Sequence, residues 1–317
     1  MDIAIMNPTL TLGYSALREH AAWLDLSGRG KIRATGEDRA RLLNAMTTNQ
    51  VEALKPGQGC YAFFLNAQGR ILADVNILCF EDHFLLDTEP ELRTKVYEHL
   101  DRYIIADDVT LEDVTDQMAT LAIEGPEAAT ALAKLGAPSP SESYACAAWG
   151  DRTVARIDTT AAGGFLLIIP ANEKQVLIAQ LAAAGIPQAT PEDARTVRIE
   201  HGRPRYGDEI TERYLVQETG QFQAMNFNKG CYLGQEIVER VRSRAQVHRH
   251  LKRLEIDTSD PPAVGAKLKS GDADAAEIAS AVFSPASGKT VAMAYVRTQF
   301  GEPGTALSLG DVAARVA

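Results

Sequence analysis

Two apolar runs joined by a glycine-ended turn constrain this chain more than any other stretch. Tyr61-Ala62-Phe63-Phe64-Leu65 is followed by Asn66-Ala67-Gln68-Gly69 and then by Ile71 to Phe80. Such runs around turn-forming residues spell strand, turn, strand, and so an antiparallel pair. Glu81-Asp82-His83 turns the chain into a third strand, Phe84 to Asp87. Helical spacing interrupts this meander. Residues 14–26 predict a short helix ending in Asp25-Leu26-Ser27-Gly28, and Gly30 to Gly36 a strand closed by glycine. Asp38 to Met46 sets Ala40, Leu43 and Met46 one turn apart, and Pro90 to Tyr103 puts Leu92, Val96 and Leu100 on one face.

The middle of the chain repeats the theme. Met118 to Ile123 reads as a strand, and Gly125-Pro126 opens a helix through Leu135. Thr153 to Asp158 and Phe165 to Ile169 read as strands split by Ala162-Gly163-Gly164. Asn172 is the expected cap of a helix to Ala184, and Pro191 to His201 is a further helix with Val197 inward. Hairpins mixed with helices argue for an α+β fold with antiparallel sheets, not a parallel doubly wound one. After about residue 246 the pattern becomes short apolar runs, such as Leu251 to Ile256, Ile278 to Phe283 and Val291 to Val296. Pro261-Pro262, Gly271, Pro285 and Pro303-Gly304 punctuate them, as in a small β-barrel or sandwich. The expected organisation is an α+β region over 1–245, in two subdomains of approximately 1–115 and 116–245, and a C-terminal barrel over 246–317.

Composition narrows the function classes. A net charge of −10 and a pI near 5.2 argue against general nucleic-acid binding. None of Cys60, Cys79, Cys146 and Cys231 lies in a C-x-x-C pair, so the chain is not expected to hold a permanent cluster by itself. Met1 to Pro8 lacks the basic and apolar regions of a signal peptide, and no stretch approaches ~20 apolar residues. A cytoplasmic protein with free thiols and no membrane contact is expected. No long heptad or large apolar stripe is present, which predicts a monomer.

The segment Lys229-Gly230-Cys231-Tyr232-Leu233-Gly234-Gln235-Glu236 carries the sharpest chemical signal. Its glycines allow a tight turn and close approach. A helix is expected to follow, so Cys231 would feel a positive helix end and the charge of Lys229, both favouring thiolate. The alternative is a glycine-shaped turn with an inert, buried cysteine.

This octapeptide resembles the Lys-Gly-Cys-Tyr-x-Gly-Gln-Glu signature of the YgfZ-type folate-binding proteins, relatives of the glycine-cleavage T protein linked to iron–sulfur cluster assembly or repair. The likeness continues through Leu26 to Asp38, Pro56-Gly57-Gln58-Gly59, Leu65 to Asp74, and Arg195 to Gly202 with Tyr206-Gly207. It implies three subdomains in a ring around a central folate site, ending in a β-barrel. It also implies tetrahydrofolate or a one-carbon derivative as cofactor, and iron–sulfur client or assembly proteins as partners.

The resemblance assigns roles residue by residue. Glu200 matches the glutamate that accepts the pterin amino group and ring N–H together; the local sequence alone would make it a solvated helix charge. Asp74 is the survivor of an acidic pair that holds the folate nitrogen in T proteins, where Ala73-Asp74 stands here; it also suits a polar strand position. Cys231 is the reactive thiol. Tyr232 either stacks on the pterin or fills core. Arg240, four residues after Glu236, either pairs with it or meets the folate's glutamate tail. Arg240, Arg242, Arg244, Arg249, Lys252 and Arg253 form a basic stretch that suits an anionic partner, or a solvated face and strand edge. Three functions follow: a tetrahydrofolate-binding accessory factor for iron–sulfur proteins, a folate-dependent aminomethyl-transfer enzyme, and a tRNA-modification helper.

Overall fold

A computed structural model describes residues 10–244 and 247–317. The segment Met1 to Pro8 and the expected boundary at 246 lie outside them, as does the side chain of Arg244.

Two five-stranded antiparallel sheets and a closed six-stranded barrel make up the fold. The predicted hairpin forms as Gly59–Leu65 paired with Ile71–Cys79, and Phe84–Thr88 pairs with the latter. Gly30–Thr35 and Thr110–Asp113 complete this first sheet. Ile71–Cys79 is buried along nearly its whole length because the sheet is covered on both faces. Strand alternation divides its residues. Ala73, Val75 and Ile77 enter the first core with Leu43, Met46, Val96 and Leu100 from the helices Arg39–Met46 and Arg93–Asp101. Leu78 instead joins Leu24, Ala122, Leu166 and Val197 in a second core between the sheets.

The second sheet runs Ala22–Asp25, Met118–Glu124, Gly164–Pro170, Arg152–Ala155, Cys146–Trp149 in spatial order. Here expectation and structure part. Residues 14–26 are not one helix: Leu12–Glu19 is helical, and the chain then enters the strand Ala22–Asp25. That strand forms because Met118–Glu124 offers it a ladder, a partner local periodicity cannot reveal. Asn172 caps nothing; a 3-10 turn, Ala171–Glu173, leads into the helix Lys174–Ala183. The helix after Gly125-Pro126 is the shorter Ala128–Lys134. Space also ignores chain order in the first core, where Tyr206, Ile210, Val216, Tyr232 and Val238 pack under the first sheet.

The barrel closes by pairing of Arg249–Ile256 with both Lys289–Arg297 and Val312–Val316. Helix Pro191–Glu200, started by a Thr190–Asp193 capping box, connects everything. Its Val197 enters the core between the sheets, and its Ile199 packs on Val282, Val291 and Met293 of the barrel.

Candidate functional site

A cavity of about 550 Å³ opens between the two sheets and the start of helix Pro191–Glu200. Leu24, Leu26, Val75, Pro90 and Ile157 supply apolar wall, and ten charged side chains share the lining with them. Asp74 stands on this wall, 9% exposed. The register explains its setting. Tyr61 lies opposite Asn76, which makes Asp74 its diagonal neighbour across the pair. The Tyr61 hydroxyl donates to Asp74 Oδ2 at 2.8 Å, while Oδ1 has no partner. Burial, and then the nearby charge of Glu89, push the carboxyl up to about 7.

Arginines hold the acids around it in place. Arg29 donates from Nε to Asp87 Oδ1 at 2.9 Å and bonds Glu89 with its other arm. Asn76 donates to Asp87 at 2.8 Å. Arg205 bridges Glu89 at 2.9 Å and Glu91 at 2.8 Å. Arg198 binds the fully buried Glu209 at 2.8 Å and also Asp208. A second device fixes the loop that presents Asp158 and Thr159 to the cavity. Buried Glu124 accepts from the Thr159 amide and hydroxyl at 2.8 Å and the Thr160 amide at 2.9 Å, and from the Thr160 hydroxyl. Burial first, then the charge of Asp158, raise the Glu124 carboxyl above its usual range.

Glu200 is not on this cavity. Its Oε1 accepts from Tyr14 at 2.7 Å and Ser284 at 2.5 Å, and its Oε2 is bound by Arg18. The carboxylate therefore ties the first helix to the barrel, with two donors on Oε1 and one on Oε2. Glu200 is buried, so the solvated helix charge expected from its local sequence does not describe it.

The octapeptide lies away from the cavity as well, packed on the hairpin turn of the first sheet. Gly234, at φ +83, sits so close to Asn66 that a Cβ would come within 2.6 Å of its carbonyl oxygen. Gly69, at φ +69, meets Ile237 as tightly, 2.8 Å from a built Cβ. Lys229 is 8% exposed, and its ammonium donates to the carbonyls of Asn44, Thr47 and Asn49 at 2.6 Å each. It also sits 5.0 Å from the centre of the Tyr232 ring, which is buried in the first core. Tyr232 thus fills core and does not face the cavity. Gln235 accepts from the Tyr232 amide at 3.2 Å. Gly230 has open space around it, and Cys231 is exposed. It precedes the helix Gln235–Arg244 by four residues and so lies outside its first turn. The motif works as a mount that leaves one thiol on the surface.

The basic stretch is largely neutralised. Arg240 pairs with Glu236 at 2.6 Å, Arg242 with Glu239 at 3.3 Å and Arg249 with Glu218 at 2.7 Å. Arg253 donates to the Glu200 carbonyl at 3.0 Å. Of the named candidates, only Asp74 lines the cavity. Sequence reasoning missed Arg29, Glu89, Asp158, Arg198 and Arg203. A signal existed for some of them: Arg203-Pro204-Arg205-Tyr206-Gly207-Asp208 sets three charges beside a proline and a glycine after a helix.

Comparison with known proteins identifies the fold. The GCVT N-terminal domain matches residues 6–229, and the glycine cleavage T-protein C-terminal barrel domain matches residues 249–316. The chain belongs to the glycine cleavage T-protein family, with its aminomethyltransferase-like fold. It is 27% identical to an aminomethyltransferase of Chloroherpeton thalassium, over 95% of this chain and 86% of that one. It is 29% identical to one of Rubrobacter xylanophilus, over 89% and 78%. The glycine cleavage aminomethyltransferase T of Bartonella henselae shares the fold at a TM-score of 0.87, with 22% identity over 96% of this chain and 87% of that one. Among the described residues, no helix is long and apolar enough to cross a membrane.

Proposed function

We propose that the chain is a tetrahydrofolate-binding accessory factor of the YgfZ type that supports iron–sulfur proteins, with folate in the cavity and Cys231 as an outward-facing thiol. The free Oδ1 of Asp74 carries the folate half. A buried carboxylate oxygen without a donor is costly, and an N–H of a folate ring supplies one. The cavity volume lies within the ordinary range for small-molecule sites, and its apolar wall suits flat rings. The family's enzymes use tetrahydrofolate as substrate. Tyr61 holds Asp74 Oδ2, which aims Oδ1, and the Arg29–Asp87 pair fixes the floor beneath.

For the thiol, the support is the motif and its mount. Cys231 is exposed on a segment pinned by Lys229, Gly234 and Tyr232, where a partner protein can reach it. It shares no wall with the cavity, so folate and thiol act on separate faces. One observation favours the second reading, aminomethyl transfer: a carboxyl near pH 7 can hold or release a proton beside the folate nitrogen.

The test is the activity of a cluster-dependent enzyme in cells lacking the protein, restored with wild type, Cys231→Ala or Asp74→Ala. Rescue by wild type alone supports both halves. Full rescue by Cys231→Ala removes the thiol from the account. No defect to rescue, together with turnover of aminomethyl lipoyl carrier by the purified protein, would replace it with transfer chemistry.

A further inference from the structure

Pairing off the charges around the cavity leaves one cation over. Arg29 and Arg198 each bind two carboxylates, Arg205 lies within reach of three, and Arg195 reaches Glu192 at 3.7 Å. Arg203 is different. Among the described residues, no carboxylate oxygen lies within 4.0 Å of its guanidinium. Its partners are neutral: a long bond, 3.4 Å, to the main-chain oxygen of Asp158, and the Tyr144 hydroxyl, with the Asp158 charge felt only from a distance. The Asp158 carboxylate is turned back on its own loop, where it accepts from the Ala161 amide at 2.6 Å. A guanidinium keeps its charge under any ordinary condition, and a half-buried one without a counter-ion is unfavourable.

The position of Arg203 is built. Its amide donates to the Arg198 carbonyl at 2.7 Å, closing the end of helix Pro191–Glu200, and Arg198 donates back to the Arg203 carbonyl at 3.2 Å. Gly202, at φ +70, supplies the left-handed turn between them. The side chain then enters the cavity wall beside Tyr144 and Tyr61. Tyr61 is also the residue that holds Asp74. One wall therefore carries two unmet groups, a carboxylate oxygen seeking a donor and a forked cation seeking an anion.

Resting on the folate reading above, we propose that Arg203 is the carboxylate-binding residue of this cavity, holding a carboxylate of the bound ligand while Asp74 takes an N–H. A planar fork of donors suits a carboxylate, which it can bind through two parallel bonds. Two sources supply that group: the glutamate part of folate, or a small amino acid bound beside the folate ring.

Titration calorimetry on Arg203→Met and Arg203→Lys tests this with three probes: tetrahydrofolate, 6-methyltetrahydropterin (which has no carboxylate), and glycine added to pterin-loaded protein. Arg203→Met is expected to lose about ten- to hundredfold in affinity for the carboxylate-bearing probe. Its affinity for 6-methyltetrahydropterin should stay unchanged, which also shows that the variant is folded. Arg203→Lys should recover part of the loss. Loss on tetrahydrofolate with no glycine binding assigns the carboxylate to folate. Glycine binding that Arg203→Met abolishes assigns it to an amino acid. Equal loss on 6-methyltetrahydropterin, or no loss on any probe, overturns the role of Arg203 and leaves the folate reading standing. Failure of the wild type to bind either pteridine overturns both.

Discussion

Replacing Glu200 by alanine should unfasten the joint between the first helix and the barrel while leaving folate binding intact. The side chain is 4% exposed and bonds Tyr14, Ser284 and Arg18. Removing it strands a guanidinium and two hydroxyl donors. Breaking a buried ionic contact costs about 3–5 kcal/mol. Arg18 is 31% exposed and recovers some hydration, which points to the middle of that range, about 4 kcal/mol. For a chain this size each kcal/mol lowers Tm by about 2 °C, so the variant should melt about 8 °C lower. Scanning calorimetry reads the first quantity, and titration with tetrahydrofolate at 15 °C reads the second. A variant that keeps its Tm and loses folate affinity would refute the reasoning, because Glu200 would then touch ligand.

Three further outcomes follow from the same geometry. Asp74 is raised from 3.8 to about 7, so its stabilising contribution is complete below about pH 4 and disappears as pH rises through 7. At 1.36 kcal/mol per pH unit this amounts to about 4 kcal/mol, of which about half should survive solvent relaxation; Asp74→Asn should therefore match wild type in urea unfolding near pH 4 and exceed it by about 2 kcal/mol at pH 8. A thiol reagent at pH 7.5 should label Cys231 quickly and leave Cys60 and Cys146, which burial pushes up to about 12 and about 11, with the count falling by one in Cys231→Ala and folate binding unaltered by the label. Glu124→Ala should free the 158–160 loop and weaken tetrahydrofolate binding about tenfold without touching ligand, with faster amide exchange at Thr159 and Thr160 as the accompanying sign.

Much of the architecture was legible because it rests on local pattern. The hairpin of Gly59–Leu65 and Ile71–Cys79, the helix Pro191–Glu200 and the long barrel strands Arg249–Ile256, Ala273–Ser284 and Lys289–Arg297 announce themselves by period and punctuation, whereas the closing barrel strand Val312–Val316 does not. Ala22–Asp25 did not, because four residues carry too little periodicity and owe their strand to Met118–Glu124. Asp74 was legible through resemblance, and the strand register explains why it faces the cavity. The partners of Glu200 were not legible, because Tyr14, Arg18 and Ser284 are distant from it in sequence. Arg203 was invisible for the opposite reason: what marks it is the lack of a carboxylate partner, a property only three dimensions reveal.

The measurement that bears most directly on the account is a crystal structure of the protein with tetrahydrofolate. The account predicts a pteridine in the cavity with a ring N–H about 2.9 Å from Asp74 Oδ1. Folate bound elsewhere, such as the shallow groove between Tyr14 and Phe283, with Asp74 Oδ1 still without a donor, would contradict it.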